Sequence, residues 1–156
     1  MSDTVRGIVI NLANQGITTY DHYSFNSLCL FNGKCLGASD QGIFVLDGER
    51  DSDAAIDAEI ETGITDMGTS LKKRVTDAAI SLKADGPYEL TMVSDKTYRR
   101  SYQVTNDRVN GHHTSKVDCA KGIKARYWGA GFRNTEGSDF ELQSVRIITE
   151  IVARRV

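Results

Sequence analysis

The chain has 156 residues, 19 Lys and Arg against 21 Asp and Glu, and a formal net charge of −2. That length suits one domain, or one domain with a small appended lobe, and is enough to bury a real core. The near-neutral balance argues against a general nucleic-acid binder, whose footprint is strongly basic, and no apolar run reaches the roughly 18 residues of a membrane-crossing helix.

The first apolar stretch, Gly7 to Asn11, is broken at once by polar groups. It is too short for the apolar heart of a signal peptide, so synthesis and retention in the cytosol are expected. Five short strands follow in the pattern: Gly7 to Leu12, Thr18 to Tyr23, Ser27 to Phe31, Lys34 to Ala38 and Gly42 to Leu46. They are separated by the turn signals Asn14-Gln15-Gly16, Asn32-Gly33, Ser39 to Gly42 and Asp47-Gly48. Residues 1–50 therefore read as a β-meander lobe. A two-residue turn at Asn32-Gly33 pairs Phe31 with Lys34, Leu30 with Cys35 and Cys29 with Leu36, which puts Cys29 and Cys35 on opposite faces. With Cys119 they form an odd, sparse set, expected as small buried thiols rather than a disulfide framework. Glu49 to Asp53 is the most polar interruption and marks a boundary, with a second domain over residues 54–156.

Beyond the boundary, Ile56, Ala58 and Ile60 alternate with Asp57, Glu59 and Glu61, as in a strand with one wet face. Thr69 to Ala84 is ambiguous by period alone. Leu71, Val75, Ala78, Ala79 and Leu82 make a helical stripe, whereas Thr76, Ala78, Ile80 and Leu82 line one face of a strand. The turn Ala84-Asp85-Gly86-Pro87 followed by an apolar strand from Tyr88 to Val93 favours strand, in a hairpin. Tyr98 to Val104 and Ser115 to Cys119 add two more, with a loop from Thr105 to Thr114. The last 35 residues hold two alternating runs joined by Asn134-Thr135-Glu136-Gly137, read as a further hairpin. Trp128, Ala130 and Phe132 share one face, which Phe140 and Leu142 cover from across the turn. The fold class expected is all-β: an antiparallel β-sandwich-like domain with an N-terminal β-meander, its open strand edges available to neighbours.

Candidate chemistry is thin. His112 and His113 lack metal-ligand spacing and sit beside Asn110-Gly111, a loop signature. Asp57, Glu59 and Glu61 share a face, as do Asp139 and Glu141, but alternating acids form the wet side of a sheet more often than a glycosidase cleft. No serine lies in a nucleophile elbow, and Gly129-x-Gly131 precedes no helix, so it reads as room for another backbone rather than a phosphate loop. No catalytic, cofactor or metal residue is assigned. Trp128 is expected in the core and Tyr127 on the surface.

The motifs Arg126-Tyr127-Trp128, Asn134-x-x-Gly137 and Ser138-Asp139-Phe140-Glu141-Leu142 resemble the C-terminal β-domain of tailed-bacteriophage tail proteins. The likeness extends back through Thr62-Gly63, Asp66-x-Gly68 and the basic run Lys72-Lys73-Arg74. It implies a structural virion protein of the tail, as a tip, baseplate or adaptor component. Such a protein is made in the host cytoplasm, is no enzyme, needs no cofactor, and assembles symmetrically with copies of itself and other tail proteins. Lys72, Lys73, Arg74, Tyr127, Arg154 and Arg155 are the candidate interface residues, the cations facing acidic strands such as Asp57 to Glu61 on a neighbour. A carbohydrate- or receptor-binding module of the tail, stacking sugars on Tyr127, Tyr20 or Tyr23, is the alternative, and a hydrolase using the acids is a further rival.

Overall fold

The computed structural model describes residues 5–48, 50–51, 54–95, 98–105 and 111–152, so that Arg154 and Arg155 lie outside the described residues. The chain divides into two units, Met1–Gly48 and Glu49–Val156. All regular elements among the described residues are strands.

In the first unit, β1 (Gly7–Ile10) and β2 (Ile17–Tyr20) form an antiparallel pair, while β3 (Ser27–Phe31), β4 (Lys34–Ser39) and β5 (Gly42–Val45) form a three-stranded meander. Asn32 and Gly33 both have positive φ, 48° and 76°, the geometry whose twist suits a two-residue hairpin. The resulting register pairs Phe31 with Lys34, Leu30 with Cys35 and Cys29 with Leu36, as the turn dictates. A ladder of rings runs through the unit. Tyr20 and Tyr23 lie 5.9 Å apart, Tyr23 and Phe25 5.0 Å edge to face, and Phe25 and Phe44 6.0 Å. Two of the rings rest on glycines, since a Cβ at Gly7 would come within 2.6 Å of Tyr23 and one at Gly37 within 2.7 Å of Phe25. Gly37 is the only buried residue described in this unit.

The second unit begins with a short ladder of β6 (Arg50–Asp51) and β7 (Ala54–Ala55), and then builds two sheets. One has the order β11-β10-β13-β8, made by Tyr98–Val104, Tyr88–Ser94, Trp128–Asn134 and Glu59–Glu61. The other has the order β12-β9-β14, made by His113–Asp118, Lys73–Ala84 and Phe140–Ile151. Their facing sides share one core of Val75, Ala78, Ile80 and Leu82 from one sheet with Leu90, Met92, Trp128 and Phe132 from the other. The Phe132 ring meets Tyr88 at 5.0 Å in its own sheet and Phe140 of the opposite sheet at 4.8 Å. This is an all-β, sandwich-like architecture, and residues 73–84 are strand rather than helix.

Two expected hairpins are arches instead. β9 and β10, joined through Pro87, lie in different sheets, as do β13 and β14, joined through Asn134 to Asp139. Phe140 and Leu142 still come to the Trp128-Phe132 side of the core, but across the sandwich, without a hydrogen-bonded ladder to β13. Asn134, buried, holds this arch: its amide Nδ2 donates to Ile56 O (2.9 Å) and Ser138 O (3.0 Å), and its Oδ1 accepts from Ala58 N (2.9 Å). Those bonds also bend the segment 54–62, expected as one strand, into the separate pieces β7 and β8.

The β9–β14 ladder carries two irregularities. Leu142 pairs with Leu82 but Ser144 with Ser81, leaving Gln143 extra. Ile148 pairs with Asp77 but Thr149 with Val75, leaving Thr76 extra. An extra residue reverses which side chains point inward. Along β9 the even positions 78 to 84 face the core, and beyond Thr76 the odd positions Val75 and Lys73 do so.

Candidate functional site

The basic run is split by that reversal. Lys73, expected on an assembly surface, is 1% exposed, and its ammonium donates to three carbonyls: Asp66 O at 2.7 Å, Thr69 O at 2.9 Å and Arg126 O at 2.7 Å. Three donors meet three acceptors, so the cation is an internal pin and not a contact for a neighbour. It is also tied to the aromatic strand. Lys73 and Ala125 exchange backbone hydrogen bonds, and the Trp128 indole Nε1 donates to Lys73 O at 3.3 Å. Arg74, thrown outward, donates from Nε and Nη2 to Glu150 Oε2 at 2.9 and 2.6 Å on the adjoining strand. Lys72 is exposed. Tyr127 is 48% exposed and Trp128 only 2%. The structure thus gathers Lys73, Arg126 and Trp128 into one clamp, and leaves Lys72 and Tyr127 on the surface.

Of the acids first matched with a neighbour, Glu59 and Glu61 are engaged within the chain, while Asp57 is exposed. On the outer face of the β11-β10-β13-β8 sheet, Arg99 of one edge strand reaches Glu61 of the other and lies 3.8 Å from Glu59. Its side chain passes over β10 and β13, where Gly131 offers no side chain to obstruct it and Val93 is covered to 3% exposure. Alongside, Glu89 accepts from Gln103 Nε2 at 2.7 Å and pairs with Arg133 Nε at 3.0 Å. Gly129 fits the close-approach reading, because a Cβ there would lie 3.3 Å from Thr62 O and 3.4 Å from Gly63 O.

On the outer face of the other sheet, Lys116 Nζ pairs with Asp77 at 2.9 Å and Asp118 at 3.6 Å. Hydrogen bonds from Lys116 first, and from Thr76 next, lower the Asp77 carboxyl to about 2. Cys119 is buried, and burial, helped by the Asp77 and Asp118 charges, pushes its thiol up to about 11. A thiol held protonated at neutral pH is a poor nucleophile. His112 Nε2 lies 3.6 Å from Glu141, while His113 opens β12. Among the described residues, no group of three His, Cys, Asp or Glu side chains is placed to hold a metal ion.

Cys29 and Cys35, expected in a core, are exposed. One face of β3–β4–β5 carries Leu28, Leu30, Cys35 and Phe44, and the other carries Cys29, Phe31, Ile43 and Val45. Leu30 is 77% exposed, Phe31 69% and Ile43 75%. The sequence held this signal: Leu28-Cys29-Leu30-Phe31 and Ile43-Phe44-Val45 are continuous apolar runs, the pattern of strands buried on both faces, and not alternating ones. Tyr20 and Tyr23 turn their rings toward each other and belong to the aromatic ladder.

No protein-family model matches the chain, and comparison with curated proteins and with solved structures finds no match.

Proposed function

We propose that this chain is a structural subunit of a bacteriophage tail, acting by symmetric assembly with copies of itself and with other tail proteins. The observation that carries the reading is the bare first unit, whose strands are patterned for burial on both faces and yet bury only a glycine. Apolar surface on this scale marks an interaction site in a stable protein. The likeness of Arg126-Tyr127-Trp128, Asn134-x-x-Gly137 and Asp139-Phe140-Glu141-Leu142 to tail β-domains supports the tail as its setting. The sandwich, latched by Asn134, Lys73 and Arg99, supplies the stiff body of such a subunit. Mass spectrometry of purified phage particles, with imaging of particles that carry a tagged copy, tests the proposal. The chain is expected at a fixed copy number, localised to the tail. Its absence from purified particles overturns the reading.

A further inference from the structure

We propose that β14 pairs with β14 of a second copy, antiparallel and about a twofold axis at Ile148, joining two sandwiches through one continuous sheet of order β12-β9-β14-β14-β9-β12. The inference deepens the assembly reading above and rests on it for its setting.

β14 is an edge. Among the described residues it is laddered to β9 alone. Val152 N donates to Lys72 O at 2.9 Å, and Ile148 O accepts from Thr76 Oγ1 at 3.3 Å, so the even-numbered residues of this stretch turn their main-chain groups toward β9. Main-chain groups alternate sides along a strand, which leaves the N–H and C=O of Val145, Ile147, Thr149 and Ile151 on the open side. Sheets guard such edges with brevity, proline or extra residues. The edge strand β8 of the facing sheet is 3 residues long, whereas β14 has 12, and past Gln143 it carries no proline, glycine or extra residue of its own. Its core-facing Val145 and Ile147 are only half-buried, and Ile151 is 57% exposed.

The order of side chains selects a second copy as the occupant. On the outer face stand Arg146, Ile148 and Glu150, whose charges change sign about the isoleucine. With the twofold axis there, Ile148 meets Ile148 and each Arg146 meets the second copy's Glu150. Opposite charges directly across a ladder stabilise it, and like charges oppose it. Neighbouring registers lose this match. An axis at Arg146 sets that cation against itself, one at Ile147 sets it against Ile148, and one at Thr149 sets it against Val152. Both partners are available: Arg146 has no ion pair among the described residues, and Glu150 gives Arg74 only its Oε2, leaving Oε1. A charged row then runs from Arg74 through Glu150 to the second copy's Arg146. On the core side, the same register sets Val145 against Ile151 and Ile147 against Thr149, covering apolar groups that β14 leaves half wet. The attachment itself comes from the ladder, about eight new main-chain hydrogen bonds, as in strand addition generally. Such a contact is isologous and closes at two copies.

The axis supplies a reporter. Ile148 meets itself at a non-hydrogen-bonded pair, where Cα atoms lie about 4.5 Å apart, within reach of a disulfide. The experiment places Ile148→Cys in the full-length protein carrying Cys29→Ser and Cys35→Ser, with Cys119 left buried and protonated. Oxidation with copper phenanthroline is expected to give a covalent dimer and no higher species. Ser144→Cys in the same background, roughly 27 Å from its counterpart in this register, is expected to stay unlinked. Sedimentation of the unlinked protein at graded concentrations gives the dimer constant. Arg146→Glu, which sets an acid against the second copy's Glu150, is expected to weaken it by about tenfold or more while Trp128 fluorescence stays as in the wild type. Failure of Ile148→Cys to link overturns the proposal. Linking of Ser144→Cys to the same extent does so too, as does a dimer constant that Arg146→Glu leaves in place. Each of these failures leaves the tail assignment standing if the chain is found in particles, and a disulfide-linked dimer from a protein absent from particles removes the tail assignment alone.

Discussion

Replacing Lys73 by Met tests whether the middle cation of the basic run is a structural pin. The substitution keeps an unbranched apolar stem in a site that is 1% exposed and removes only the ammonium. Three carbonyls, of Asp66, Thr69 and Arg126, lose donors at 2.7 to 2.9 Å. Each orphaned acceptor costs ~1–3 kcal/mol where water cannot replace the donor. Against this, removing a buried ammonium recovers part of a burial penalty of several kcal/mol. The expected net loss is about 2–4 kcal/mol. With a urea slope of about 1.5 kcal/mol per M, the unfolding midpoint falls by roughly 2 M. The single Trp of the chain, Trp128, bonds to Lys73 O, so its fluorescence follows the affected region directly. Lys73→Ala, which also leaves a void where the stem lay, is expected to cost more. A Lys73→Met midpoint within about 0.3 M of wild type would refute the reasoning, since it would mean that the three carbonyls do not depend on this side chain.

Asn134→Ala removes three hydrogen bonds at a buried site and is expected to cost ~2–3 kcal/mol in the same urea titration, and a loss under 1 kcal/mol would mean that the arch is held by other contacts. For Asp77, whose folded carboxyl is lowered to about 2, the stabilisation is complete above its ordinary value of 3.8 and is lost as pH falls through about 2. Lys116→Met should raise the Asp77 titration toward 3.8 by NMR, with a stability deficit that is constant at neutral pH and closes on acidification; an unmoved carboxyl would discard Lys116 as its cause. Gly137→Ala is expected to lower Tm more than Gly68→Ala: both have positive φ, 71° and 78°, but a Cβ at 137 falls 2.7 Å from the Ala55 Cβ while position 68 is open. Equal losses would show that the contact with Ala55 relaxes freely.

Alternation made the strands legible, and the Asn32-Gly33 turn fixed a register that the fold keeps residue for residue. The inward set Trp128, Ala130 and Phe132 was also readable, because period 2 states which side of a strand is dry. It does not state which strand is hydrogen-bonded to it. A hairpin and an arch share one alternation pattern, so the connections through Pro87 and Asn134 gave the right faces and the wrong partners. The segment Thr135 to Asp139, longer than a tight turn, and a polar Asn buried at its entry are the marks of the arch. Lys73 was misread for a different reason: an extra residue three places along reverses the pattern, and nothing local announces it. The Arg99 to Glu61 reach joins the two edges of a sheet, a pairing that follows only once strand order is known. The first unit's apolar runs were visible, but a run of apolar residues does not by itself say whether its faces are buried.

The two surplus residues of the β9–β14 ladder, Thr76 and Gln143, stand on opposite strands and cancel. Leu82 meets Leu142 before them and Val75 meets Thr149 after them, and the paired numbers add to the same total at both ends. Like two compensating frameshifts, they offset the pairing register only over the stretch between them, while along each strand the inward-facing positions stay switched beyond the extra residue. If Thr76 instead took a regular place in the ladder, strict alternation from Ala78 would carry Arg74 and Lys72 into the interior and put Lys73 outside. Which of three consecutive cations serves the core is therefore a matter of counting, decided by one threonine downstream of them.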